Sequence, residues 1–222
     1  MDLEAGENGG TPAERPVIHP ATALRFIDPI VGSGVFATAP IPRGTVTWVL
    51  DALDQIVDPE HLEDLGTHWR RWRDHHTFGD RAGRRILCWD LCRSMNHSCR
   101  PNCGGTDLGL EVALTDIAAG EELTNDYGTL HIDASEGFPC RCGDPECRGV
   151  VGPDGSAATR LHPRIVAALA AAERLEQPLQ VLLAADWRER ALEELGECVR
   201  CVSAAHVPSR APAPPRGRAS GR

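Results

Sequence analysis

Three cysteines fall within eight residues, Cys140, Cys142 and Cys147, among Pro139, Gly143, Asp144 and Pro145. The stretch is too polar and too rich in turn formers for a core strand or helix. Thiolates at this spacing are ligands for zinc, and a closed structural site takes four donors, so a fourth must come from elsewhere in the chain. Upstream lies Arg93-Ser-Met-Asn-His-Ser-Cys-Arg-Pro-Asn-Cys103, which gathers an amide, an imidazole, a thiol and an obligatory kink. Such residues are poor material for a plain core and imply a ligand or a metal. About twenty residues later comes Gly120-Glu-Glu-Leu-Thr-Asn-Asp-Tyr-Gly128, whose Tyr127 is the only tyrosine in the chain. The remaining cysteines carry less signal. Cys103 is a less favoured ligand, Cys88 and Cys92 read as core thiols, and Cys198 with Cys201 as a helix-end pair.

Short elements must position these groups. Apolar runs at Ala23–Ile27, Val35–Ala39 and Thr45–Leu50, parted by Gly and Pro, predict strands, as do Ile86–Trp89, Leu110–Leu114 and Glu122–Asn125, with turns at Gly104-Gly105 and Ala119-Gly120. Between them Leu62, Leu65, Trp69 and Trp72 recur at spacings of three and four, the pattern of an amphipathic helix inserted over about 58–85. His68, His75 and His76 in that insert lack partner carboxylates or thiols at metal spacing and read as surface residues. From about Pro163 the chain turns Ala-, Leu-, Glu- and Arg-rich, with Pro178 dividing two helical segments. Residues 1–16 and 207–222 have the composition of disordered ends.

The Asn96-His97-Ser98-Cys99-x-Pro101-Asn102 and Glu122-Leu-Thr-x-Asp126-Tyr127 segments resemble the two hallmark motifs of the SET-domain protein-lysine methyltransferases. Gly32-Ser33-Gly34 before Val35 resembles that family's glycine turn, and Cys140-x-Cys142-x4-Cys147 its post-SET motif, in the family's order. The resemblance runs from about 17 to 150. It implies a mostly β SET-domain fold of short curved sheets with α additions: a SET domain over 17–130 carrying the helical insert, a post-SET zinc knuckle over 136–152 and C-terminal helices over 158–203. It implies S-adenosylmethionine as methyl donor, held by Gly32, Ser33, Gly34, Val35, Asn96 and His97, with Tyr127 as the catalytic residue. It implies zinc as a second cofactor, with Cys99 joining Cys140, Cys142 and Cys147 as ligands. Two departures touch the lysine channel. Asn125 stands where the family usually has an aromatic residue that limits how many methyl groups are added, and Ser94 where it usually has Phe or Tyr.

Composition bounds the partners. The formal charge is -9, and all 23 basic residues are Arg, with no Lys. An acidic chain is ill suited to a phosphate backbone and well suited to a basic protein or peptide, so direct nucleic-acid binding is not expected. No apolar run approaches the roughly 20 residues of a membrane span, and no signal-peptide pattern opens the chain, which together lead us to expect a cytoplasmic location and no disulfide framework. The rival to an enzyme is a SET-like module of weak or no catalytic power that binds a peptide, for which Ser94 and Asn125 are the support.

Overall fold

The computed structural model describes residues 17–57, 66, 76–80, 84–106, 108–130, 137–152 and 155–205, with side chains as far as 196. Most of the helical insert, with Trp69, Trp72, His68 and His75, lies outside the described residues, as do the two ends. The strands are β1 (Thr22–Asp28), β2 (Gly32–Ala37), β3 (Val46–Val49), β4 (Gln55–Val57), β5 (Phe78–Gly79), β6 (Arg85–Leu87), β7 (Asn96–His97), β8 (Cys103–Thr106), β9 (Leu110–Ala113), β10 (Glu122–Asn125), β11 (Phe138–Pro139) and β12 (Val150–Val151). Two long helices follow, α1 (Gly155–Ala172) and α2 (Trp187–Ala205).

The strands form small separate sheets. One has the order β1-β2-β10-β7, a second β3-β9-β8, a third β4-β6-β5, and β11 pairs with β12. All pairings are antiparallel except β10 with β7, whose register sets Thr124 opposite Asn96 and Asn125 opposite His97. That one parallel pairing lays the two polar motifs side by side. Asn102 clamps it: its side chain accepts from the Thr124 N–H at 2.8 Å and donates to the Glu122 carbonyl at 2.8 Å.

Two apolar cores flank the β3-β9-β8 sheet. Because side chains alternate across a strand, Leu110 and Val112 of β9 enter one core while Ala113 enters the other. The first core joins Val46, Val49, Leu110 and Val112 to Leu161, Ile165, Ala168, Leu169 and Ala172 of α1 and to Trp187, Ala191 and Leu195 of α2. The C-terminal helices therefore complete a core. Gly44, at φ +91°, shows how close they come: a Cβ there would stand 2.6 Å from the Ala168 carbonyl oxygen. Beside it Gln177 accepts from the Val46 N–H at 2.8 Å and donates to the Gly44 carbonyl at 3.1 Å. The helix α1 begins at Gly155, earlier than the composition change near Pro163 suggests, and carries Pro163 inside it. The imino acid removes one helical hydrogen bond, and burial of Leu161, Ile165, Ala168 and Leu169 along one face outweighs that loss. Gly104 and Gly105, read as a turn in sequence, lie within β8.

Leu169 is fully buried between α1 and the sheet. Leu169→Ala is expected to lower the unfolding free energy by about 2–5 kcal/mol, read from the midpoint of urea denaturation.

Candidate functional site

Gly32-Ser33-Gly34 opens β2 rather than forming a turn, with Gly34 opposite Arg25 and Ser33 opposite Phe26 on β1. Gly34 has no room for a side chain: a Cβ would collide with Glu122 Oε1 and stand 2.9 Å from Asn96 Nδ2. Those two groups are bonded to each other. Asn96 Nδ2 donates to Glu122 Oε1 at 2.7 Å and to the Ser33 carbonyl at 3.1 Å. The glycine segment, the Asn-His segment and the Glu-Leu-Thr segment therefore meet at one amide. Val35 is fully buried in the second core, leaving only its backbone to face a ligand. At Gly32, φ +82°, a Cβ would touch nothing within 4 Å, so the chain there is open.

Tyr127 starts a short 3-10 turn, Tyr127–Thr129, capped by the Asp126 side chain. Its hydroxyl donates to the Met95 carbonyl at 2.7 Å, which fixes the phenol one residue from Asn96. Burial pushes its ionisation above the ordinary tyrosine range, so the phenol is neutral and keeps its proton to donate. The ring lies 5.5 Å from that of His97 and 6.4 Å from that of Phe138 on β11. His97 Nδ1 accepts from the Tyr127 N–H at 3.1 Å, which leaves the ring proton on Nε2, 3.4 Å from Cys99 Sγ. Burial, with the nearby Arg148 charge adding to it against Asp126, brings the imidazole down to about 4. His97 is thus a neutral bracket between the tyrosine backbone and a cysteine. Asn125 is 2% exposed; it donates to Glu111 Oε1, and its Oδ1 accepts from the Asp126 N–H at 2.7 Å. Ser94 is half-buried at the end of the turn that precedes Met95.

The four thiols named from sequence converge. The Sγ atoms of Cys99, Cys140, Cys142 and Cys147 all lie within 4.8 Å of one another, with Cys99 3.7 Å from Cys140 and 4.0 Å from Cys147. A tetrahedron of sulfurs about 2.3 Å from a central zinc has edges of about 3.8 Å. The donor set and its spacing fit that ion. Backbone N–H groups of Arg148 and Gly149 point at Cys99 and Cys147 Sγ at 3.4 Å, the pattern that supports thiolate charge. Burial raises Cys99 and pushes Cys140 up to about 12, whereas at Cys142 hydrogen bonding from the Cys99 and Asp144 backbone and from the other thiols overrides burial and lowers the thiol to about 7. Cys88 and Cys103 are buried in the second core, and Cys92 packs against it. Cys198 and Cys201 fall in α2 where side chains lie outside the described residues.

Three groups gave no signal of their own in the sequence. Asp126, 1% exposed, receives a forked pair of hydrogen bonds from Arg148 at 2.9 and 2.6 Å and a longer one from Arg160 of α1 at 3.4 Å. Arg148 adjoins the third cysteine of the knuckle, so one carboxylate ties the tyrosine turn to both the thiol cluster and the helices. Met95 contributes only its carbonyl. Glu111 is a charged residue in a strand whose residues are all buried. Each is legible only once the strands are placed. Arg148→Met would leave Asp126 without its main partner in a buried place. Because Arg148 is partly exposed, the expected loss is about 2 kcal/mol, below the range for a fully buried pair, measured by thermal unfolding at low and high salt.

Residues 32–128 match the SET domain family. The chain is 33% identical over 145 residues to histone-lysine N-methyltransferase ash1 of Drosophila melanogaster, covering 58% of this chain and 6% of that protein. It is 31% identical over 139 residues to the H3 lysine-4 specific histone-lysine N-methyltransferase of Mycosarcoma maydis, 56% of this chain and 9% of that one. It is 44% identical over 66 residues to human histone-lysine N-methyltransferase 2B, 27% of this chain and 2% of that one. The chain thus spans less than a tenth of the length of each of these relatives. The parallel meeting of the Asn-His and Glu-Leu-Thr strands lies inside this stretch, residues 32–128, that matches the SET domain family.

Proposed function

We propose that this chain is a protein-lysine methyltransferase that takes its methyl group from S-adenosylmethionine, and that zinc held by Cys99, Cys140, Cys142 and Cys147 staples the knuckle to the active centre. The observation that carries the reading is the set of three bonds that closes the site: Asn96 to Ser33 and to Glu122, and the Tyr127 hydroxyl to the Met95 carbonyl. They bring together groups that a donor pocket and a lysine channel both need. S-adenosylmethionine, when bound, supplies an electrophilic methyl group on a sulfonium. Gly32, Ser33 and Gly34 would approach it by backbone, Val35 likewise, and Asn96 and His97 would close the other side.

Tyr127 is the catalytic residue of this reading. Its neutral hydroxyl, already oriented by Met95, aligns amine and methyl for in-line transfer and stabilises the shift of charge as the new bond forms. A lysine has to be neutral to attack, and holding it so at pH 7 against an ordinary value near 10.4 costs about 4–5 kcal/mol. Burial supplies part of this, because a desolvated channel disfavours the ammonium. Asn125 and Ser94 would shape the channel wall. Zinc has a structural task only. With a net charge of -9 the chain attracts basic proteins, and the names of the matched relatives, all histone-lysine methyltransferases, favour histones or similar lysine-rich proteins as substrate. Among the described residues no helix is long and apolar enough to cross a membrane.

Tyr127→Phe is expected to cut methyl transfer by about two to three orders of magnitude while donor binding stays as it is and the melting temperature falls by only about 2–4 °C for the one buried hydrogen bond lost, measured with labelled S-adenosylmethionine and a mixture of histone, histone-like and ribosomal proteins. Equal labelling by the variant removes Tyr127 from the chemistry, and no labelling by either chain sinks the enzyme reading and leaves a binding module. Cys147→Ser is expected to abolish stoichiometric zinc, measured by elemental analysis of the purified chain, and to loosen the knuckle to proteolysis.

A further inference from the structure

Beneath Tyr127 lies a carboxylate that the mechanism above does not use. Glu111 is in the middle of β9, 6% exposed, on the side of the sheet that faces the second core and Asn125 rather than the helices. Its Oε1 accepts from Asn125 Nδ2, while Oε2 is buried with no hydrogen-bond partner among the described residues. An orphaned oxygen of this kind costs about 1–3 kcal/mol and more when charged, so its retention wants a reason. Gly105, opposite Glu111 on β8 and partly exposed, has no side chain, and a Cβ placed there would meet only Glu111, its Cγ at 3.7 Å and its Oε1 at 3.9 Å, so the carboxylate is uncrowded on that side. Glu111 is also close enough to Tyr127 for its charge to weigh on the phenol. Position 125 is the bridge: Asn125 sits two residues before Tyr127 and holds Glu111 by its amide.

We propose that Glu111 is the receptor for the substrate's ammonium: its buried Oε2 accepts a hydrogen bond from the incoming N–H, with Asn125 holding the carboxylate in place. This rests on the lysine-methyltransferase reading and adds to it the group that selects a charged side chain. Asn125 and Glu111 then act as a unit. An aromatic wall at position 125 would recognise the alkyl stem, whereas an amide bonded to a carboxylate recognises the charge at its tip. Ion pairing of a buried carboxylate with a buried ammonium satisfies both groups, and Glu111 takes the proton when the amine gives it up: one N–H bond breaks, its electron pair stays on nitrogen, and an O–H bond forms on Oε2.

The proposal carries a pH signature. Burial pushes Glu111 up to about 7, so the carboxylate is present above that value and is lost as pH falls through it. The groups facing it are Asp90 on the turn before β7, itself raised by burial; the thiols of Cys92, raised by its bond to Cys88 and by burial, and of Cys103; and the Tyr127 phenol. The thiols and phenol stay neutral across neutral pH, which leaves the carboxyls of Glu111 and Asp90 to set the charge.

The test is binding, with S-adenosylhomocysteine present so that no transfer occurs, of a basic histone H3 tail peptide whose lysines are all arginine save one. At that position lysine is compared with norleucine, which has the stem and no charge. At pH 8 the wild-type chain is expected to prefer lysine by at least about tenfold, ~1.4 kcal/mol. The preference should shrink as pH falls from 8 to 6, and Glu111→Gln, of equal size, should bind both peptides alike. A wild-type preference that is absent or flat with pH, failure to bind either peptide, or a Gln variant that keeps the preference overturns the proposal. The wild-type pH series decides even if the variant does not fold. Labelled methyl transfer separates the two readings: transfer without ammonium preference sinks this inference alone, and preference without transfer sinks the enzyme assignment alone.

Discussion

Everything near the candidate site leans on one buried carboxylate. Asp126 stands between Asn125 and Tyr127, is almost wholly removed from water, and caps the turn that Tyr127 begins. A charge so placed is tolerable only if its partners are held as firmly as it is. Its partners come from two later stretches of chain, Arg148 beside the last knuckle cysteine and Arg160 on α1. The requirement to satisfy one carboxylate therefore docks the knuckle and the helices onto the end of β10. Thiol cluster and ion pair act in series: Cys99 lies against the knuckle cysteines, and Arg148, next in the chain after Cys147, is delivered to Asp126.

A second constraint comes from β9, which is buried on both faces. Strands of this kind normally read as continuous apolar runs, and Leu110, Val112 and Ala113 comply. Glu111 does not. Its neighbours across the sheet are Trp48 on β3 and Gly105 on β8, and the glycine leaves the carboxylate less crowded than a side chain there would. The helices α1 and α2 cover the other face with Leu161, Ile165, Leu169 and Leu195, so this sheet cannot shift to relieve Glu111 without opening the first core.

Much of this was legible in the sequence because the chemistry-bearing residues cluster in short segments. Cys140, Cys142 and Cys147 announce a metal site by spacing alone, and the Asn-His and Asp-Tyr segments carry a family resemblance that the match over 32–128 supports. Strands such as Glu122–Asn125 showed by alternation. What stayed hidden depends on contacts across long separations. No local pattern says that Gly44 must be bare because α1 lies against it, or that Gln177 replaces a missing strand partner for Val46. The glycine pair of β8 looked like a turn because glycine punctuates turns more often than strands; here the pair lies against Leu114, Ile165 and Glu111. The composition changes near Pro163, yet the apolar face of α1 already includes Ala157 and Leu161, so the helix starts before that change.

The same burial that fixes these groups decides which of them can handle a proton. His97 is the residue that sequence most tempts one to make a base, but its Nδ1 is occupied by the Tyr127 N–H and its basicity is down to about 4. Drawing a proton from an ordinary lysine onto such a group costs about 9 kcal/mol, too much for a step that must also leave room for the transfer barrier. Onto a carboxyl near 7, as at Glu111, the same transfer costs about 5 kcal/mol, little more than releasing the proton to water at that pH. The imidazole is left to brace the backbone of the tyrosine, and the carboxyl, poised near neutrality by its own burial, is the group whose charge can answer the amine's.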